Sequence, residues 1–354
     1  MFVWIPRYEY KIYGSREIGI NFITKDIKEE SDSYRIHPAF NFGGEEISGL
    51  WVGKFEISHA TKTTTLGCTT ETCIESDGLR ILPNVQSLRN NSVSSFFYSI
   101  RSMSKEKNVF GIKLDLTDPH MIKNIEWGAV AYLSQSRYGK YGNSNYTGGK
   151  KEIYVNNSSS YYTGRSGGSY SNDTAANKIY LDQLDVTSKY NTYGYYTYDG
   201  YLLEYNTNNK TKTRDINRVA STTGNIYGIY DTSGGAWEYT MGVFANSDGE
   251  KYKGTSGFET AWPEEKYYDV YMASSGTTID IATACNGGIC YGHALSETTQ
   301  WYGDYPGFVH ASATWLIRGG IYSNDFTAGI FKREGCAGGV QATGSTRIVL
   351  TQAT

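Results

Sequence analysis

The chain has 354 residues and a formal charge of -3, with 39% hydrophobic, 19% charged and 15% aromatic residues, 40 glycines and only 6 prolines. That length exceeds the roughly 250–300 residues at which a single core stops growing, so two lobes or one core with long excursions are expected. No Lys/Arg stripe is present to neutralise phosphates, which argues against a nucleic-acid partner, and no apolar run approaches the roughly 18 residues that span a bilayer, which argues against membrane insertion.

Aromatic identity is skewed: 32 Tyr stand against 13 Phe and 7 Trp. Tyrosine set among Gly, Ser, Asn and Thr is the mixture of binding loops, and equally that of a solvated, loop-rich β protein. In chain order, Phe2-Val3-Trp4-Ile5 and Tyr8 to Tyr13 read as extended structure broken at Pro6. Pro6 and Arg7 also cut the opening apolar stretch, so it does not read as a signal peptide. Residues 15–47 are polar and read as irregular, and Leu50 to Ile57 is a strand candidate followed by a Thr-rich loop. Val93, Phe96, Phe97, Ile100 and Met103 fall at helical spacing behind Ser92 as N-cap. A second helix is expected from Asp118 as cap and Pro119 as first residue, with Ile122, Ile125, Ala129 and Leu133 on one face.

Residues 138–215 change character, becoming dense in Tyr, Asn, Gly and Ser without a fixed repeat. So polar a run buries little apolar area of its own and is expected to lie over a scaffold as long loops or a hairpin. The expected organisation is a single α+β domain over 1–354, with an extended segment 1–47, a core of 48–137 and 216–350, and 138–215 as an insertion.

Motifs for chemistry are sparse. Cys68/Cys73 and Cys285/Cys290 each enclose four residues, while Cys336 stands alone. The residues leave open two small disulfide loops or reduced, inert thiols, and Cys336 as a reactive or a buried thiol. Zinc spacing is absent and the five histidines are scattered. Gly164-Arg-Ser-Gly-Gly168 fits a nucleophile-elbow pattern but has no flanking apolar strand, and Glu264, Glu265 and Asp269 read as a solvated acidic loop.

Four segments in order carry a family resemblance. Trp51-Val-Gly-Lys-Phe-Glu-Ile-Ser58, Ile125-Glu-Trp-Gly-Ala-Val-Ala-Tyr132, Asn225-Ile-Tyr-Gly-Ile-Tyr-Asp-Thr-Ser-Gly-Gly-Ala-Trp-Glu-Tyr239 and Arg318-Gly-Gly-Ile-Tyr322 with Ser345-Thr-Arg-Ile-Val-Leu350 bracket roughly residues 50–350. They resemble the "YEVT/S", "EAEWEYAA", "GLYDMxGNxWEW" and "RGGSW…GFRVVL" segments of the formylglycine-generating-enzyme (sulfatase-modifying factor) superfamily. The resemblance implies a C-type-lectin-like fold with small antiparallel sheets, two main helices and long irregular loops, in which Trp127, Trp237 and Arg318 belong to the scaffold.

Formylglycine-forming members hold copper on two cysteines after the "RGGSW" motif. Here that region offers only Cys336, and the histidine triad of the iron-dependent relatives is missing. In the "GNxWEW" turn, where some members bind calcium, Gly235 replaces the Asn and only Glu238 remains, so no cofactor is expected. The resemblance therefore points to the binding branch: surface and phage proteins, including variable proteins of diversity-generating retroelements. The opening Met-Phe-Val-Trp-Ile-Pro-Arg-Tyr-Glu-Tyr also resembles the leader of such proteins in gut bacteria and their phages, where it follows a longer anchor. The expectation is an extracellular adhesin or receptor-binding head, on a bacterial surface or a virion, that binds a cell-surface protein or glycan and can form homo-oligomers. Its contact residues are expected to be Tyr322, Asn324, Asp325, Phe326, Lys332 and Arg333, with Trp301 and Tyr302 from the preceding loop; Tyr, Trp and Arg most often anchor interfaces. The alternatives are a structural decoration domain or a divergent copper oxidase or hydrolase.

Overall fold

A computed structural model describes residues 1–14, 16–30, 33–105, 109–142, 152–165, 195–196, 202–205, 212–213, 220–225, 227–258, 261–273, 281–285, 290–324 and 327–353. Within these the protein is mixed α+β, with two main helices and several small sheets. The principal strands are β1 (Phe2–Pro6), β2 (Tyr8–Ile12), β3 (Ile18–Phe22), β4 (Gly49–Gly53), β5 (Thr117–Met121), β6 (Trp237–Ala245), β7 (Asp269–Met272), β8 (Trp315–Gly319), β9 (Gly329–Cys336) and β10 (Ile348–Gln352). The main helices are α1 (Val93–Arg101) and α2 (Asn124–Ser134).

The first sheet has the order β1-β4-β10-β5, all antiparallel, so the first and last strands both flank β4. Alternation sends Leu50 and Val52 inward, while Trp51 faces out beside Trp4, its register partner. The second sheet runs β7-β6-β8-β9, with β6 and β7 parallel and the other pairs antiparallel; Gly344–Ser345 adds a short parallel pairing to β6. A third sheet joins β2, β3 and Arg35–Ile36. Most of the buried apolar side chains form one core. In it Phe97 of α1 packs edge-on against Phe258 and Tyr267, and Trp127 of α2 donates from Nε1 to Ile330 O at 2.8 Å.

Helix α1 follows the sequence pattern: Ser92 Oγ accepts from Ser95 N at 3.3 Å, and Val93, Phe96, Phe97 and Ile100 are buried. Helix α2 begins five residues later than expected. Asp118 and Pro119 lie in β5, paired with Thr351 and Leu350. This is an edge strand, where a proline's missing N–H is tolerated, and the Asp118 carboxylate meets Arg101 and Tyr267 instead of capping a helix. The cap comes from within: Glu126 Oε2 accepts from Lys123 N at 2.8 Å.

Residues 15–47 are not the irregular segment their polarity suggested. They hold β3 and shorter pairings, and Ile18, Ile20, Phe40, Phe42 and Ile47 are core residues. The strand expected over 50–57 ends at Gly53. The polar insertion does not begin cleanly at 138 either, since Ile153, Tyr154 and Val155 are buried. Further on, Tyr195–Tyr196, Leu202–Tyr205 and Lys212–Thr213 pair as an antiparallel three-stranded sheet, and the rest of 166–219 lies outside the described residues. Cys68–Cys73 and Cys285–Cys290 are both disulfide-bonded.

Candidate recognition surface

Under the second sheet, the motif segments converge on one buried ionic network. Arg347 donates through Nε (3.1 Å) and Nη2 (2.5 Å) to the Glu238 carboxylate, and its remaining donors reach Gly53 O and Tyr230 O. Glu56 accepts from Ala236 N at 3.0 Å and bonds Ser87. Asp231 accepts from Asn156 Nδ2 and Gly164 N, each at 2.8 Å. One carboxylate thus pairs with the guanidinium, and the other two feel its charge from nearby, all away from water. Burial raises all three: Glu56 well above the carboxylate range, Asp231 up to about 6 and Glu238 up to about 7, with Arg347 opposing the rise in each.

This network fixes the turns that carry the surface. Gly235 has φ +75, and a Cβ there would stand 2.6 Å from Glu56 Oε1, so a side chain at the position of the family's asparagine would crowd the carboxylate. Glu238, the other acidic residue of that turn, is committed to Arg347. Among the described residues no cluster of three or more His, Cys, Asp or Glu side chains is arranged to hold a metal. Gly164 of the elbow-like pattern serves as a backbone donor to Asp231, and Asp269 accepts from Ile125 N at the start of α2, its own carboxyl raised to about 6 by burial.

Of the expected contact residues, the structure groups three. Tyr322 donates its N–H to Gly235 O at 2.9 Å and sets its ring edge-on to Tyr161, centroids 5.2 Å apart. Asn324 closes the Gly319–Gly320 turn, its Oδ1 accepting from Ile321 N at 2.8 Å. Lys332, expected to face a ligand, is buried: its stem runs over Gly320 beside that Oδ1, and its Nζ stands 4.9 Å from the Tyr305 ring centroid and 3.9 Å from Glu334.

The others point elsewhere. Arg333 is buried and donates to Pro306 O, Gly307 O and Thr299 Oγ1. Trp301 and Tyr302 are half-buried against Phe331, and Tyr302 donates its hydroxyl to Gln135 Oε1 at 2.6 Å. Alternation along β9 separates them, with Phe331 and Arg333 on one face and Lys332 on the other. Asp325 and Phe326 lie outside the described residues. Trp127 and Arg318 are buried: Arg318 spends its donors on Asn124, His293 O and Ala294 O, while Trp237 is only half-buried.

Sequence reasoning missed Tyr161 and Arg89. The Arg89 guanidinium lies 3.9 Å above the Tyr161 ring centroid, next to Tyr322. Tyr161 sits in a run already conspicuous for its tyrosines, but nothing in the linear order pairs it with Arg89 or Tyr322. Cys336 is the one cysteine outside the disulfides; burial pushes its thiol up to about 11, although a hydrogen bond with Tyr239 pulls the other way. No model of a known protein family matches this chain, and no curated protein matches it significantly.

Proposed function

We propose that the chain is a non-catalytic recognition domain with a C-type-lectin-like fold akin to the formylglycine-generating-enzyme superfamily. It is displayed outside the cell on a bacterial surface or phage virion and binds a cell-surface protein or glycan. The observation that carries this reading is how the motif residues are used. Glu238 and Arg347 are spent on each other and Glu56 and Asp231 on neighbouring turns inside the fold, and beside those turns Tyr161, Tyr322 and Arg89 are partly exposed. First and last strands that both flank β4 support the lectin-like topology. The two disulfides support an oxidising compartment. Cys336 is half-buried against the core with its thiol pushed up to about 11, which supports a packing role for it.

The test is binding of labelled protein to intact cells from a panel of gut bacteria, with protease- and periodate-treated cells separating protein from glycan receptors. Strain-selective binding is expected, and Tyr322→Ala is expected to weaken it with little change in melting temperature. Folded protein that binds no strain overturns the reading.

A second reading, a structural decoration domain, draws on the outer face of the first sheet. There the tilted rings of Trp4 and Trp51 meet with centroids 5.1 Å apart while 38% and 45% exposed. Concentration-dependent oligomerisation without an external ligand, abolished by Trp51→Ser, favours that reading.

A further inference from the structure

Tyr161 is held in a backbone conformation that a bulky residue seldom adopts. Its φ is +56, a left-handed geometry that is unfavourable for a non-glycine residue and persists where the surroundings over-determine it. Here they do. The Tyr161 carbonyl accepts from Ser87 N at 2.9 Å and Ser87 Oγ at 3.2 Å, and Ser87 is in turn bonded to buried Glu56. The result is a fixed ring with the Arg89 guanidinium stacked 3.9 Å over it and the Tyr322 ring at 87° to its edge.

Arg89 differs from the buried arginines, although it shares its stacking on a tyrosine ring with Arg35, whose guanidinium lies 3.1 Å from the Tyr291 ring centroid. Arg7, Arg101 and Arg347 each face a carboxylate, and Arg318 and Arg333 spend their forks on backbone carbonyls and polar side chains. Among the described residues Arg89 has one acceptor, Ala342 O on Nη1, and no carboxylate; its Nε is buried without a partner. Its Nη2 has no protein acceptor among those residues and is not buried. A planar, permanently charged guanidinium that is stacked in place with its Nη2 end open is suited to an oxyanion. Perpendicular tyrosine rings beside it offer a flat apolar face.

We infer that Arg89, Tyr161 and Tyr322 form a subsite for a carboxylate-bearing sugar. The free edge of the guanidinium takes the carboxylate, and the neighbouring tyrosine face takes the apolar face of the pyranose. This assignment rests on the recognition reading above and names its ligand class.

Affinity electrophoresis in gels containing polygalacturonate, dextran, poly-L-glutamate or lipoteichoic acid tests it. Polygalacturonate is expected to retard the protein and dextran is not. Arg89→Gln is expected to weaken retardation at least about tenfold, the scale of one charge-assisted pair. Arg89→Lys is also expected to weaken it, because a point charge lacks the fork. Tyr161→Phe keeps the ring and is expected to retain binding. Melting curves check that each variant is folded, and Arg89→Lys serves if Arg89→Gln is not.

Retardation unchanged in a folded Arg89 variant, or absent in every gel, overturns the assignment. Equal retardation by poly-L-glutamate removes the sugar from it, and retardation by lipoteichoic acid alone replaces the carboxylate with a phosphodiester. If strain-selective cell binding persists while polygalacturonate does nothing, only the subsite falls. Loss of both takes the recognition reading with it.

Discussion

Two buried ionic networks in this protein are built from similar residues but have opposite charge balance. Around Arg347, three carboxylates lie within the influence of one guanidinium that pairs with Glu238 alone, and burial drives their pKa values up. Around Asp118, two carboxylates meet Arg101, His120 and the rim residue Lys266. There burial also opposes charge, but His120 and Arg101 outweigh it and hold Asp118 down to about 2. Glu126 is lowered as well, against its burial, by His120 and Lys123. His120 is raised, because Glu126 and Asp118 overcome its desolvation. Burial alone therefore does not set the sign of a shift; the local count of cations against anions does.

The largest expected effect is that of breaking the tightest pair. Glu238→Gln leaves Arg347 buried without its bidentate partner and should cost roughly 3–5 kcal/mol in urea unfolding. Arg101→Met should cost less, about 3 kcal/mol at most, because Asp118 keeps the Tyr267 hydroxyl at 2.8 Å and Lys266 Nζ at 3.4 Å. Equal losses would mean that the two networks do not differ as their charge counts imply.

The pH response separates them next. Folded-state pKa values raised above the unfolded ones mean that the stability from the carboxyls around Arg347 is fully present below about pH 4, near the unfolded carboxylate values, and is lost as pH rises through about 6 for Asp231 and about 7 for Glu238, with Glu56 running in the same direction. Asp118 runs the other way: its contribution is present above its unfolded value of about 3.8 and is lost as pH falls towards 2. His120, raised above 6.5, contributes below that pH and loses its contribution as pH climbs through its folded value. Unfolding free energies measured from pH 2 to 8 should therefore decline at both ends, and Arg101→Met should remove part of the acid limb alone.

The smallest effect sharpens the same point. Glu56→Gln copies a neutral carboxyl, keeps an acceptor for Ala236 N and should change stability at pH 7 by about 1 kcal/mol or less while flattening the decline between pH 4 and 7. A loss as large as that of Glu238→Gln would show that Glu56 is ionised.

Local rules made part of this protein legible. The helical spacing of Val93 to Ile100 behind Ser92 gave α1, and alternation gave β1 and β2. Asp118-Pro119 misled because cap and proline preferences are local, whereas pairing with β10 and the ion pair to Arg101 come from distant residues. The polarity of 15–47 hid Ile18, Ile20, Phe40 and Phe42, since a few well-spaced apolar side chains suffice for short strands packed on a shared core. Of the contact residues, Tyr322, Asn324 and Lys332 were brought together, while Arg333 and Trp301 were separated from them by the two faces of β9.

By itself the sequence determined the first helix and the opening strands, because propensity, capping and periodicity act over a few residues. Only the tertiary structure decided which charges meet. The balance of three carboxylates around Arg347, the strained turn that seats Tyr161 beneath Arg89, and the face of β9 on which each side chain lies all depend on contacts between residues tens to hundreds of positions apart. No local rule reaches that far.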